Sequence, residues 1–237
     1  MFNIDKRTMY IVLGLILLIN VLTGGRSLEG MIYALPGVII AMTFHEFAHA
    51  YVATKLGDDT PRIQGRLNLN PLSHIDPIGM ICLIVVGFGW GRPVEITPRN
   101  FDGKYSISKA EAMVAAAGPI MNFILAFVFL IIFKIAEINI GQVTTQTYII
   151  LKILGGIVSI NVGLGVFNLI PIHPLDGAKI LNHFIGYRAK EWLLNNQYIL
   201  TIILFIVVYY TNVMAYLINY VLNGMSWLVD LIFGLFI

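Results

Sequence analysis

The fold class this sequence predicts is an all-α polytopic membrane protein. It has about six transmembrane helices and a small cytoplasmic-side β or re-entrant segment between the second and third spans. Three observations predict it. Of the 237 residues, 58% are hydrophobic and only 12% charged, whereas a soluble domain carries about a quarter charged residues. The apolar residues gather into runs close to the roughly 20 residues that cross a bilayer. Lys and Arg cluster in alternate connections between those runs, the asymmetry by which loop charge sets topology.

The candidate spans are 8–23, 31–55, 109–134, 147–170, 197–221 and 224–237. The first apolar run, Met9–Leu22, follows Asp5, Lys6 and Arg7. That basic flank puts the N-terminus in the cytoplasm. Basic flank, apolar core and the small residues Thr23, Gly24 and Gly25 would also suit a signal peptide. An uncleaved span better fits a chain that keeps re-entering the membrane.

The connection over 55–109 carries Lys55, Arg62, Arg66, Arg92, Arg99, Lys104 and Lys109, and that over 171–196 carries Lys179, Arg188 and Lys190. Both are therefore expected on the cytoplasmic side. Within the first of them, Arg62–Asn70 alternates polar and apolar residues up to Pro71, which suggests a short strand, with Pro93–Pro98 as a candidate second; a plain solvated loop is the alternative. Residues 75–90 are apolar but hold Pro77 and several glycines, so a re-entrant or interfacial hairpin is expected there, with Asp76 as its turn or cap residue.

The third span contains Ala115-Ala-Ala-Gly118-Pro119-Ile-Met-Asn122. Its small residues suit close helix approach. Asn122 places an amide in apolar surroundings, either for a substrate backbone or oxyanion or for a helix–helix hydrogen bond. Asn168, at the end of the fourth span, has the same two roles open, and Asn161 reads as structural. The last segment, 224–237, is short enough to end in the interface. Together, 1–237 reads as a single domain with a core at about 30–180 and C-terminal helices over 181–237. One cysteine, Cys82, excludes an internal disulfide and a Cys-rich zinc site. A net charge of +2 gives no sign of nucleic-acid binding.

The second span holds His45-Glu46-Phe47-Ala48-His49, with no other charged residue between Glu29 and Lys55. Ionisable groups inside a span are costly and mark function. Residues four apart share a helix face, so His45 and His49 can offer two imidazoles to one metal ion. Glu46 lies beside them and can handle a proton from a metal-activated water. Two buried histidines can also simply bond a neighbouring helix, but three polar side chains at this depth would need partners where few exist.

A catalytic zinc needs a third protein ligand and an open position. Asp176 qualifies, in Asn168-Leu-Ile-Pro171-Ile-His173-Pro174-Leu-Asp176-Gly177, where two prolines break the helix. His173 is the competing ligand. His74 and His183 lie in polar connections and read as surface groups or groups one layer behind the ligands. His45 precedes Lys55 by about ten residues, which puts it roughly 15 Å inside the cytoplasmic end. Asp176 can meet it only if 171–176 turns back into the membrane, where irregular backbone is tolerated when buried or beside a watery cavity. A water-filled pocket between the second and fourth spans, open to the cytoplasm, is expected.

His45–His49, Gly118-Pro119-x-x-Asn122 and Asn168-Leu-Ile-Pro…Leu-Asp-Gly177, in this order, resemble the site-2 protease family of intramembrane zinc metalloproteases. The resemblance covers roughly residues 30–180, and Ser73–Gly79 and Gly89–Val94 also resemble family segments. It implies one zinc ion held by His45, His49 and Asp176, with Glu46 activating the water. It also implies cleavage of a transmembrane protein substrate near the cytoplasmic face. His173 departs from the pattern, standing where many relatives have proline. The expected location is a prokaryotic cell membrane, multi-pass, with the lipid bilayer and a membrane-protein substrate as partners and no nucleic acid. An unwound substrate segment is expected to pair with an edge strand near Arg62–Asn70. The alternatives are a metal transporter, which would want a polar path that spans 8–23 and 197–221 do not offer, and a scaffold, which would not need Glu46.

Overall fold

The computed structural model describes residues 27–86, 90–140 and 144–234. The first predicted span, 8–23, lies outside the described residues. Three long helices form the centre: α1 (Leu28–Lys55), α5 (Ile107–Asn139) and α6 (Thr145–Asn168). Each is long and apolar enough to cross a membrane. Ser27 caps α1 by accepting a hydrogen bond from Gly30 N at 3.1 Å, and Thr144 and Thr147 form a capping box at the start of α6.

In a bilayer, helices associate through close packing because lipid tails are as apolar as leucine. The interfaces here use small residues accordingly. Gly37 of α1 sits so near α6 that a Cβ would lie 2.9 Å from Ile160 Cδ1 and 3.1 Å from Ile157 Cα. On α5, Ala115, Gly118, Asn122, Ala126 and Leu130 are buried, while Ile120, Ile124, Val128, Ile132 and Ile135 form an exposed stripe suited to lipid. Met31, Val38, Met42 and Ile75 make one apolar cluster, with Leu35 and Leu164 against it.

The connection between α1 and α5 differs from expectation. No strand forms among the described residues; one isolated antiparallel bridge joins Ile75 and Gly91. The predicted strand at Arg62–Asn70 is replaced by a short helix, α2 (Thr60–Ile63), and turns. Pro61 favours that helical start, Gly65 takes a φ of +67°, Asn68 donates to Gly65 O, and Asn70 Oδ1 caps α3 (Pro71–His74) by accepting from Leu72 N. The alternation therefore came from turn-forming asparagines. Residues 92–97 form neither strand nor helix, although Thr97 has an extended backbone. The apolar run at 75–90 gives α4 (Pro77–Val86), ten residues and so about 15 Å long, half a bilayer core. Asp76 caps it, as expected, accepting from Ile78 N and Gly79 N at 2.9 Å each. The Ile75–Gly91 bridge and Arg92 N donating to His74 O at 2.7 Å hold its two ends together.

Asp58 ties this connection to the end of α1. It is fully buried and accepts from Thr60 N, Thr60 Oγ1, Thr97 N and Asn100 Nδ2, at 2.5–3.1 Å. Burial alone would raise its pKa, but these donors favour the carboxylate and hold it below the usual value.

After α6 the chain forms α7 (Asp176–Phe184), α8 (Tyr187–Asn195), α9 (Gln197–Tyr210) and α10 (Val213–Gly234). The expected spans at 197–221 and 224–237 are repartitioned. The break falls at Thr211, whose extended backbone ends α9 and whose Oγ1 donates to Val207 O and accepts from Val213 N. Residues 213–234 then make one helix of spanning length, while α8 and α9 meet at a 68° bend. Among the described residues four helices qualify as spans, or five if the bent pair is one. Val229 of α10 packs with Leu130 and Val158, fixing it against α5 and α6.

Candidate metal centre

Six stretches of chain, Leu83 of α4 and Val114 and Ala115 of α5 among them, converge on one cavity of about 380 Å³. Its lining includes His45, Glu46 and His49 from α1, Asn168 from the end of α6, and Asp176 and Lys179 from α7. The segment Trp90–Ile96 forms another wall. The cavity lies between the second and fourth predicted spans, as expected.

His45 Nε2 and His49 Nε2 are 3.0 Å apart, and Asp176 Oδ2 lies 3.1 and 3.2 Å from them. All three residues are buried. Among the described residues they are the one group of three or more His, Cys, Asp or Glu side chains arranged to hold a metal ion. Zinc bound tetrahedrally at about 2.0–2.1 Å has ligand atoms roughly 3.3 Å apart. A triangle with edges of 3.0–3.2 Å fits that requirement, and two imidazoles with one carboxylate are a zinc donor set. An ion held by these three donors would keep a fourth position open, as catalytic sites do.

The helix spacing alone brings His45 and His49 together. Asp176 arrives by a reversal at the end of α6. Pro171 and Pro174 interrupt the helix, short-range bonds (Ile172 N to Ile170 O, Leu175 N to Ile172 O) tighten the turn, and α7 begins at Asp176 itself. Gly177 makes the reversal possible, because a Cβ there would overlap Leu169 O and lie 2.5 Å from Ile170 O. His173, the competing ligand, lies elsewhere: its Nε2 is 3.5 Å from Asn182 Nδ2 and its carbonyl accepts from Thr201 Oγ1. His183 packs against Phe184. His74, expected near the surface or just behind the ligands, is fully buried and donates from Nε2 to Asn68 O at 2.7 Å, pinning the turn before α3.

Glu46 accepts a hydrogen bond from Val94 N at 3.0 Å through Oε2. That contact holds the carboxylate in the cavity beside the two imidazoles. His49 Nδ1 must donate to its partner, Val114 O at 2.7 Å, because a carbonyl only accepts. In the neutral ring its Nε2 is then a bare lone pair.

Of the two roles open for Asn122, the structure shows the helix–helix hydrogen bond. Asn122 is fully buried, does not line the cavity, and bonds His45, Ala41 and Asn161. Asn168 does line it, donating to Leu164 O at 3.0 Å with one further N–H to offer. Gly118 carries more than the small-residue packing read from the sequence. A Cβ there would lie 2.5 Å from His49 Nε2 and 2.6–2.7 Å from His45 Cε1 and Nε2. Val114, Gly118 and Asn122 are spaced by four and so share one stripe of α5. Once Asn122 is placed toward α1, that spacing puts Gly118 against the imidazoles.

Residues 132–211 match Peptidase family M50. The chain is 39% identical over 163 residues to YwhC of Bacillus subtilis, covering 68% of this chain and 73% of that relative. It is 28% identical to Rip2 of Mycolicibacterium smegmatis, over 68% of this chain and 63% of the relative. It is 27% identical to MJ0392 of Methanocaldococcus jannaschii, over 64% of this chain and 34% of the relative. Each of the three names contains the words zinc metalloprotease. No solved structure matches the chain.

Proposed function

The chain belongs to peptidase family M50, the zinc metalloproteases of the site-2 type, and from that premise we propose that it hydrolyses a peptide bond within or next to a transmembrane helix of another membrane protein, near the cytoplasmic face. The observation that carries this reading is the His45, His49 and Asp176 triangle with Glu46 beside it, in one cavity inside a helical bundle. Residues 1–237 act as a single protease domain, with the catalytic work in about 30–180 and the N-terminus in the cytoplasm of a prokaryotic cell.

In this mechanism His45, His49 and Asp176 would hold one zinc ion. Zinc bound there would supply Lewis acidity for the scissile carbonyl and for a water that becomes nucleophilic at neutral pH. Glu46 takes the proton from the attacking water and delivers it to the leaving amine. Its bond to Val94 N anchors one carboxylate oxygen. A helical substrate hides its carbonyls in its own hydrogen bonds and must unwind to be cut. The unwound stretch meets the segment whose Trp90, Gly91, Pro93, Val94 and Ile96 line the cavity, in place of the strand expected at 62–70. Asn168 offers its remaining N–H to the substrate backbone.

The test is Glu46→Gln in the full chain, co-expressed with candidate single-span membrane proteins. The variant is expected to lose cleavage by roughly 10²–10⁴-fold while purified protein retains one zinc. Cleavage at the wild-type rate by the variant would refute the proposed role of Glu46 and, with it, this mechanism.

A further inference from the structure

We infer that Asn161 and Asn122 form a one-directional hydrogen-bond chain that fixes the tautomer of His45 and so makes it a metal ligand. The inference rests on the reading that His45 binds the metal. It begins at a backbone carbonyl. Asn161 Nδ2 lies 2.9 Å from Ile157 O, and a carbonyl can only accept, so the Asn161 amide nitrogen is at that end and its Oδ1 is at the other. That Oδ1 lies 3.0 Å from Asn122 Nδ2. A second backbone carbonyl, Ala41 O, lies 3.0 Å from the same nitrogen. Asn122 therefore spends both its N–H groups on acceptors, and neither amide can flip without placing an oxygen against an oxygen.

Asn122 Oδ1 is left facing His45 Nδ1 at 2.7 Å. It has no hydrogen to give, so His45 Nδ1 must carry one. A neutral imidazole holds a single proton, and Nε2 is then a bare lone pair aimed at His49 Nε2 and Asp176 Oδ2. His49 reaches the same state by donating to Val114 O. Two lone pairs and a carboxylate oxygen thus converge with no hydrogen between them, a set that a divalent cation satisfies. With the opposite tautomer, Nε2 would carry hydrogen and could not bind metal.

Both asparagines are fully buried, and each comes from a different helix. The chain thus runs α6 to α5 to α1 and ties the metal ligand to the packing of all three. Neither asparagine touches substrate or the reacting atoms, so both are positioning residues.

The test uses the full chain in detergent with ¹⁵N-labelled histidine, stripped of zinc and held at a pH where imidazoles are neutral. His45, assigned by the signal lost in His45→Gln, should show a protonated Nδ1 and an unprotonated Nε2. Asn122→Leu removes the acceptor, so the ring should shift toward the Nε2–H form that free imidazole prefers. Zinc affinity, measured against a competing chelator, should fall roughly 10- to 100-fold, the usual cost of losing a ligand's hydrogen-bond partner. Asn161→Leu leaves Ala41 O in place, so its loss should be smaller but measurable, with the same direction of tautomer change. A protonated Nε2 in the wild-type protein would overturn the inference, whether or not Asn122→Leu folds. Affinity and tautomer both unchanged in a folded Asn122→Leu or Asn161→Leu would also overturn it. If wild-type protein binds no zinc, the metal-centre reading itself fails, while the tautomer measurement still reports on the chain.

Discussion

Adding one methyl group at Gly118 should weaken metal binding severely without unfolding the protein. The Cβ of Gly118→Ala would lie 2.5 Å from His49 Nε2, 2.6 Å from His45 Cε1 and 2.7 Å from His45 Nε2. Carbon and nitrogen rest at about 3.5 Å, so both rings, or the helix backbone, must retreat by roughly 0.8–1 Å. Metal–ligand distances tolerate about 0.2 Å, and the two Nε2 atoms cannot both hold position. We expect zinc affinity to fall at least a hundredfold, about 2.7 kcal/mol, and cleavage to fall with it. Overpacking of this size costs about 1–3 kcal/mol of stability, partly offset by the gain of alanine over glycine in a helix, up to about 1 kcal/mol. The control is Gly155→Ala in α6, where the new methyl meets only Phe133 Cε2 at 3.7 Å, an ordinary contact. That variant should keep wild-type affinity. The assay is chelator-competition titration of purified full-length protein, with circular dichroism confirming helix content. Wild-type zinc affinity in a folded Gly118→Ala would refute the reasoning, because the imidazoles would then have to sit away from Gly118.

Two further outcomes follow from the connection between α1 and α5. Asp58→Asn removes a carboxylate that collects four hydrogen bonds and should cost about 2 kcal/mol at neutral pH, seen as a lower melting temperature. Because the Asp58 pKa is lowered by folding, its contribution is complete above the unfolded value of about 3.9 and disappears as pH falls through the folded value; the gap between wild type and Asp58→Asn should therefore close in acid below about pH 4, and a gap that widens there would contradict the assignment. Val94→Pro deletes the N–H that anchors Glu46 and should reduce cleavage about tenfold with zinc retained, whereas Val94→Ala, which keeps the N–H, should cleave normally. Equal activity of the two Val94 variants would argue against a role for the anchor.

Some of this was legible from residue spacing. His45 and His49 share a face because an α-helix repeats every 3.6 residues, and no partner is needed to establish that. Composition alone marked the long apolar helices, and Pro171 and Pro174 marked the place where one had to end. Other readings failed for local reasons. Arg62–Asn70 alternates as a strand does, but Pro61, Gly65 and the two asparagines favour turns, and no neighbouring strand supplied the ladder that would outweigh them. The window over 197–221 stayed apolar across Thr211, so hydropathy could not see a break made by one hydroxyl serving both helix ends.

What the sequence determined by itself was everything carried by near neighbours: the membrane class, the paired imidazoles with their glutamate, and the interruption before Asp176. Tertiary structure decided what depends on residues far apart in the chain. It brought Asp176 rather than His173 to the pair, set Gly118 against both rings, and aligned Asn161, Asn122 and His45 across three helices. Lone-pair direction and half-ångström clearances arise only when separate helices are packed, since a spacing rule describes one helix face and says nothing of what faces it.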